Sequence, residues 1–277
     1  MPRLLFATDF HGNTRAYDAL FELAQEHEPD AVILGGDLCP YPRSGIEPLV
    51  QQGEFVEQWL GPRLEQLAAS CAVPVFAIPG NDDCAGLEEV FEGLERTSNW
   101  RWLCRRSMAV GQWHIAGLPY VPVTPFFMSD YDRIDEPGWE PLRWPETCLL
   151  SDGGQTRRVD ASEIRGRPTL AEELEQLAHA APVERTIFVV HTPPWSTKLD
   201  IMHDGQPVGS RALRRFIEQR QPPLTLHGHI HESPYRSGSV VDRIDATWSF
   251  NPGTSLMKLQ ALWITLDDDG VAFEVAG

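Results

Sequence analysis

Residues 3–37 read RLLFATDFHGNTRAYDALFELAQEHEPDAVILGGD. The stretch opens on an apolar run, Arg3 to Thr8, too short for a helix and apolar throughout, as a buried strand is. Leu20, Leu23 and Ala24 then recur at helical spacing, and a second apolar run follows at Ala31 to Leu34. Strand, helix, strand within 35 residues is a β-α-β unit, which predicts an α/β fold with a sheet at least partly parallel.

Working outward, Glu54 to Ala69 carries Phe55, Trp59, Leu60, Leu64 and Leu67 on one helical face, and Val73 to Ile78 reads as a third strand. From Trp100 to Gly117 short apolar pieces are broken by Arg105, Arg106 and Gly111, a pattern that predicts consecutive antiparallel strands. Residues 119–168 hold seven prolines and lack sustained periodicity, so they are read as an inserted cap within a single domain spanning 1–277. Beyond it come a helix at Thr169 to His179, a strand at Thr186 to Val190, a helix at Ser210 to Gln219 with Ser210 as its N-cap, and a strand at Leu224 to His227. The tail, from Val240 through Trp248 and Leu259 to Phe273, reads as further short strands.

Composition narrows the class. Lys and Arg total 23 against 40 Asp and Glu, a formal charge of −17. Such a field repels polyanions, which disfavours extended nucleic acid as a partner and leaves a small phosphorylated substrate compatible, because bound cations outweigh the mean charge locally. The opening MPRLLFATDF leads directly into Asp9 and His11 with no room for a leader, and no apolar run approaches the ~20 residues of a membrane span, so no membrane association is expected. Five cysteines form neither a CxxC pair nor an even framework, which fits a cytoplasmic protein.

The informative feature is where polar residues fall. Asp9 and His11 follow the first strand, Asp37 the second, Asn81 and Asp82 the third, His191 the strand at Thr186 to Val190, and His229 and His231 the strand at Leu224 to His227. In open α/β sheets, ligands gather beyond the carboxyl ends of strands. Carboxylate and amide oxygens mixed with imidazoles suit Mn, Fe, Zn or Mg, with no preference among them.

These segments, Asp9-Phe10-His11, Gly36-Asp37, Gly80-Asn81-Asp82, His191 and Gly228-His229-Ile230-His231, resemble the ordered signature of the calcineurin-like metallophosphoesterase superfamily: DxH, GD, GNH, a lone His, GHxH. Asn251-Pro252-Gly253 matches a turn that often follows, and HTPP at 191–194 is similar to a microbial subgroup of phosphoesterases. The resemblance implies a four-layer α/β/β/α sandwich of two mixed sheets flanked by helices. It also implies two divalent or trivalent ions, one on Asp9, His11, Asp37 and His231, the other on Asp37, Asn81, His191 and His229. Asp37 would bridge them, and a hydroxide held between ions roughly 3.5–4 Å apart would attack a phosphodiester or phosphomonoester, nucleotides included. Glycines before Asp37, Asn81 and His229 are expected to permit turns that other residues would strain.

The departure is Asp82, where the family usually has a His that contacts phosphate and assists the leaving group. Asp82 is therefore read either as a catalytic carboxylate beside Asp37 or as an acceptor for a metal-bound His. Asn81 and His203 are candidates for touching substrate, His203 as a substitute proton donor. Plainer readings apply elsewhere: His227 as a hydrogen-bonded core histidine, His27, His114 and His179 as packing or surface residues, Cys84 as a small packed side chain, and Arg211, Arg214 and Arg215 as a solvated helix face. Competing functions are a non-catalytic interaction module on the same fold and a nuclease. The full ligand set argues against the first and the acidic balance against the second, while homo-oligomerisation stays open.

Overall fold

The computed structural model describes residues 2–43, 45–141, 143–152, 154–255, 257–267 and 270–276. Within the span read as a cap, 142 and 153 therefore lie outside the described residues, as do the terminal residues 1 and 277. The strands are β1 (Arg3–Ala7), β2 (Ala31–Leu34), β3 (Val75–Ala77), β4 (Trp100–Trp102), β5 (Ser107–Val110), β6 (Trp113–Leu118), β7 (Val121–Pro122), β8 (Asp132–Arg133), β9 (Cys148–Asp152), β10 (Gln155–Val159), β11 (Thr186–Val190), β12 (Leu224–Leu226), β13 (Val241–Ile244), β14 (Thr247–Phe250), β15 (Ala261–Asp267) and β16 (Gly270–Ala276). The helices are α1 (Thr14–His27), α2 (Pro48–Phe55), α3 (Gly61–Ser70), α4 (Glu88–Gly93), α5 (Ala161–Arg165), α6 (Leu170–Ala178), α7 (Arg211–Arg220) and α8 (Ser233–Ser237).

Two six-stranded mixed sheets run β16-β15-β1-β2-β3-β4 and β13-β14-β12-β11-β6-β5. In the first, β1 to β4 are parallel and β15 and β16 antiparallel. In the second, β6, β11, β12 and β14 are parallel, with antiparallel β5 and β13 at the edges. Strand alternation sends Leu4, Phe6 and Ile33 into one apolar cluster with Ile115, Ile187, Val189 and Leu226, which is the seam between the sheets. The intervening Leu5, Ala7, Val32 and Leu34 face outward against Tyr17 and Leu20 of α1 and Leu64 and Leu67 of α3, while Phe188 and Val190 meet Leu174 of α6 and Phe216 of α7. Helix, sheet, sheet, helix is thus the layer order.

Several elements differ from their sequence reading. The helix expected from Glu54 begins at Pro48, where the Glu47 carboxylate caps Val50 and proline occupies the first turn. A π turn at Val56–Leu60 joins α2 to α3, and this wider turn lets the chain pass Gly61-Pro62 without breaking. Of the strands expected to be consecutive and antiparallel after Trp100, β4 instead pairs in parallel with β3 and closes the first sheet. Only β5 and β6 form the antiparallel pair. The 119–168 segment carries a hairpin, β9 with β10, and a small core of its own in Val123, Ile134, Cys148, Leu150 and Ile164. Ser210 caps α7 as expected, accepting from the Leu213 N–H at 2.9 Å. Among the described residues no helix is long and apolar enough to cross a membrane.

Candidate metal centre

The carboxyl ends of β1, β2 and β3 in one sheet and of β11 and β12 in the other open onto the same edge, and the polar residues that follow those strands converge there. Asp9, His11, Asp37 and His231 can each offer one ligand atom such that all four lie within 4.8 Å of one another. His11 Nε2 is 3.1 Å from His231 Nε2 and 3.6 Å from Asp37 Oδ2, and His231 Nε2 is 3.5 Å from Asp9 Oδ1. The same Asp37 Oδ2 lies 3.4 Å from His191 Nε2, which is itself 3.2 Å from Asn81 Oδ1. The His229 ring stands beside that of His191, with centroids 5.4 Å apart. One carboxylate oxygen therefore faces two groups of donors.

The backbone is bent to achieve this. Asp9, His11, Asp37 and His229 all have positive φ, between 43° and 67°, a region non-glycine residues seldom occupy and one that tends to be held at functional sites. The three glycines behave differently from expectation. Gly36 does need its positive φ, 111°, but Gly80 and Gly228 do not adopt that conformation. They are required by space: a Cβ on Gly80 would strike the Asp37 carboxylate, and one on Gly228 would strike Thr8 Oγ1 and the Asp9 carboxylate.

Electrostatically the cluster is set by carboxylates and imidazoles at close range. Burial lowers the His191 and His231 pKa values, yet Asp37 and Asp9 beside His191, and Asp9 beside His231, pull both up to about 9. Burial prevails at His11 and His229, which fall to about 4 and about 3. Burial pushes Asp9 and Asp37 upward, and the neighbouring imidazoles overcome it and hold both below the ordinary carboxylate range. Asp9 Oδ2 and His11 Nδ1 are buried with no hydrogen-bond partner among the described residues. Buried carboxylates crowded by imidazole nitrogens, with orphaned donor atoms among them, fit a bound metal ion of the kind taken by mixed N and O ligands.

A second ring of residues holds the ligand loops, and the sequence reading passed over it. The Asp83 carboxylate, fully buried, accepts from the N–H groups of Leu38 (3.0 Å), Cys39 (2.8 Å) and Gly80 (2.8 Å), tying the loop of Asp37 to that of Asn81. Gln52 donates to the carbonyls of Pro40 and Asp82 and accepts from Cys84 N–H. Asn251 donates to the carbonyls of Leu199, Gly228 and Ile230, fixing the loop of His229 and His231. His191 presents Nε2 to the cluster because Nδ1 is engaged by the Gly35 carbonyl at 2.8 Å. His227 is the hydrogen-bonded core residue expected, with Nδ1 at 2.8 Å from the Val190 carbonyl and Nε2 at 2.8 Å from Thr225 Oγ1.

Asp82 stands at the opening of the cluster. Its Oδ2 is 3.6 Å from His11 Nδ1, its Oδ1 accepts from the Asn81 amide at 3.2 Å, and burial together with Asp37 and Asp83 raises its pKa to about 8. Above it opens a cleft of about 940 Å3 whose walls include Tyr41, Phe126, Phe127, Trp139, Trp195 and Arg211. The Tyr41 ring stacks on His11 at 3.8 Å and 11°, a contact no motif announced. His203 is not brought to the cluster: its side chain is 76% exposed and faces Glu232 at 3.7 Å, and it is not among the residues lining the cleft. The loop from Ser196 to Gly209 is gathered around the Asp200 carboxylate, which accepts from the Ser196, Thr197 and Gly209 N–H groups.

The profile of the family described as Calcineurin-like phosphoesterase matches residues 2–233. Among solved structures, TT1561 of Thermus thermophilus is similar at 17% identity, with a TM-score of 0.58 over 99% of this chain and 98% of that one, a likeness of fold. A novel archaeal phosphodiesterase aligns at 10% identity and TM-score 0.44 over 99% of both chains. Yfce, a phosphoesterase from E. coli, aligns at 14% and 0.38 over 97% of this chain and 90% of that one. No curated protein sequence matches significantly.

Proposed function

Because this chain belongs to the calcineurin-like phosphoesterase family, a family of metal-dependent hydrolases, we propose that it cleaves a small phosphate ester at a binuclear centre. Asp9, His11, Asp37 and His231 would hold one ion, and Asp37, Asn81, His191 and His229 the other. The observation that carries the binuclear reading is Asp37 Oδ2, placed 3.6 Å from His11 Nε2 and 3.4 Å from His191 Nε2, so that a single oxygen serves both donor groups. When bound, such ions neutralise phosphoryl oxygens and lower the pKa of a water toward ~7.

The chain's own residues set the geometry for that chemistry. Asp37 Oδ1 accepts from the Asp82 N–H at 2.9 Å, which holds the carboxylate with Oδ2 toward His11 and His191. Asp9 Oδ1 is steadied by the His229 N–H at 3.0 Å, so the first and last ligand loops lock together. His191 keeps its proton on Nδ1 toward Gly35 and turns Nε2 inward, while the His11 ring, stacked on Tyr41, presents Nε2 to Asp37. Asn81 lies at the end of the cleft where a phosphoryl oxygen would enter, beside His191.

The five free, buried cysteines support a cytoplasmic setting, and the acidic surface supports a small substrate over a polynucleotide. The test is metal analysis of the purified chain, followed by assay on chromogenic phosphomonoesters and phosphodiesters before and after exhaustive chelation. Activity should vanish on chelation and return with Mn²⁺ far better than with Ca²⁺, since imidazole ligands suit transition ions and Ca²⁺ prefers all-oxygen shells. Full hydrolysis by verified metal-free protein would end this reading.

A further inference from the structure

A phosphoryl group occupies only the floor of a cleft of about 940 Å3, so most of the volume must receive the rest of the substrate. That remainder faces aromatic side chains: Tyr41, Phe126, Phe127, Trp139 and Trp195 all line the cleft that ends at Asp37, Asn81 and His229. Three of these rings are exposed, which is unusual for the molecule, while Trp139 and Trp195 are half-buried. Tyr41 is 47% exposed, Phe126 52% and Phe127 44%, and with Met202 they are four of the ten large apolar side chains that stand exposed among the described residues. Concentrated exposed apolar surface in one concavity marks a binding surface.

The walls are fixed. The Phe127 carbonyl accepts from Leu149 N–H at 2.7 Å, and Ser129 N–H donates to the Leu149 carbonyl at 2.9 Å, so the backbone carrying Phe126 and Phe127 is sewn to β9. Just beyond, the Asp130 carboxylate accepts from Ala85 N–H and Ser151 N–H, anchoring the same segment to the body of the sandwich. Across the cleft, Trp195 N–H donates to the Ser210 carbonyl at 2.9 Å, and the Arg211 guanidinium lies over the Trp195 ring at 4.1 Å. Arg211 is exposed on α7, as the helix-face reading expects, has no carboxylate within ion-pair distance among the described residues, and lines this cleft. Rings held rigid and exposed lose little entropy when a flat group stacks on them.

We propose that this wall binds a planar aromatic ring system on the alcohol side of the phosphoester, so that substrates carry an aryl or nucleoside-type group rather than an aliphatic one. The inference rests on the phosphoesterase reading, since continuity with the metal centre is what identifies the occupant as substrate. Direct stacking on Tyr41, itself stacked on His11, would join the ring site to the metal ligands through one side chain.

Calorimetric titration of the Mn²⁺-reconstituted chain with inorganic phosphate, phenylphosphonate and cyclohexylphosphonate tests it. The last two share charge and approximate size and differ in planarity. The phenyl compound should bind about tenfold more tightly than the cyclohexyl compound, within the range that base–aromatic stacking supplies. Phe126→Leu and Trp195→Leu keep apolar bulk, Phe126 at a half-exposed position, and each should bring that ratio toward one. Adenosine 5′-phosphate and 1-naphthyl phosphate as alternative substrates then distinguish a nucleobase from a directly esterified aryl group, and preference for either over a glycerol phosphate supports the proposal. Equal binding of the two phosphonates, an unchanged ratio in both variants, or a sedimenting dimer that protects Phe126 and Phe127 overturns it while leaving the hydrolase reading intact. If inorganic phosphate and both phosphonates fail to bind metal-loaded protein, the phosphoesterase reading falls, and this inference with it.

Discussion

Asp83→Asn is the perturbation that best separates a loop clamp from a bystander. Asp83 Oδ2 accepts from Leu38 and Gly80 N–H and Oδ1 from Cys39 N–H, in a fully buried position. An amide oxygen placed where Oδ2 was would keep two of these bonds and turn its NH₂ onto the Cys39 N–H. One buried donor is then orphaned against another donor, a loss of about 1–3 kcal/mol. With an unfolding entropy near 2.1 cal/mol/K per residue over 277 residues, about 0.6 kcal/mol/K in all, a central value of about 2 kcal/mol lowers Tm by roughly 3–4 °C. Because the three N–H groups belong to the loops of Asp37 and Asn81, the metal-binding constant should also weaken, by the ~10–100-fold typical of partners that orient metal ligands. Thermal melts of metal-free protein give the first quantity and competition with a chromogenic chelator the second. A variant with the expected Tm loss but unaltered Mn²⁺ affinity would falsify the claim that Asp83 positions the ligand loops, and an unaltered Tm would mean that its three bonds are not what stabilises them.

Asp37→Asn should abolish turnover while the fold persists by circular dichroism, since Asp37 Oδ2 faces both donor groups; near-normal activity in metal-replete buffer would exclude the shared-ligand assignment. Asp82→His should speed esters of poor leaving groups selectively, by at most the ~10²–10⁴-fold of general acid catalysis. The readout is kcat/KM across leaving groups of graded pKa, and a wild-type rate indifferent to leaving group with chemistry rate-limiting argues that another residue supplies the proton. Asp132, in the first third of the 119–168 segment, is buried with Oδ2 unpartnered, and burial raises its pKa to about 8 against a hydrogen bond from Thr124 Oγ1. A folded-state pKa above the unfolded value gives stability that is complete below pH ~4 and is lost as pH rises toward about 8, so the Tm of Asp132→Asn should gain on wild type between pH 5 and pH 8; parallel melting curves across that window would count against a neutral Asp132.

The sheet-forming half of the fold was legible because buried parallel strands announce themselves as short apolar runs, and β1, β2, β3, β11 and β12 are all of that kind. What failed were elements whose context is supplied from elsewhere. Trp100–Trp102 looks like the start of an antiparallel set because its neighbours in sequence are one, yet its backbone partner is β3, and only the tertiary fold reveals that. The onset of α2 was masked by Gln51 to Gly53, which interrupt the apolar period, although Glu47 before Pro48 was a start signal that could have been used. The β9–β10 hairpin was hidden for a different reason. β10 lies largely in solvent, so Thr156, Arg157 and Arg158 carry no apolar alternation, and the only cue was the Gly-Gly after Asp152.

The candidate ligands were legible on other grounds: metal chemistry admits few residue types, and strand ends admit few positions. The residues that hold them obey no such restriction. Asp83, Gln52 and Asn251 act on backbone N–H and C=O groups, so their importance depends on which loops the fold brings within hydrogen-bond reach, and a string of residue types does not contain that. His203 and Tyr41 show the same limit from the other side. A search for a proton donor by residue type selects the histidine, yet the turn at Met202 to Gln206 carries His203 outward to Glu232, while the loop after Asp37 lays Tyr41 on His11. Asp82 then takes on a different meaning from a missing imidazole. Its Oδ2 lies 3.6 Å from His11 Nδ1, too far for a hydrogen bond, so it stands beside the ring without orienting it. The departure at Asp82 therefore changes the polar group at the opening of the cluster, while the ring contact that fixes His11 comes from Tyr41.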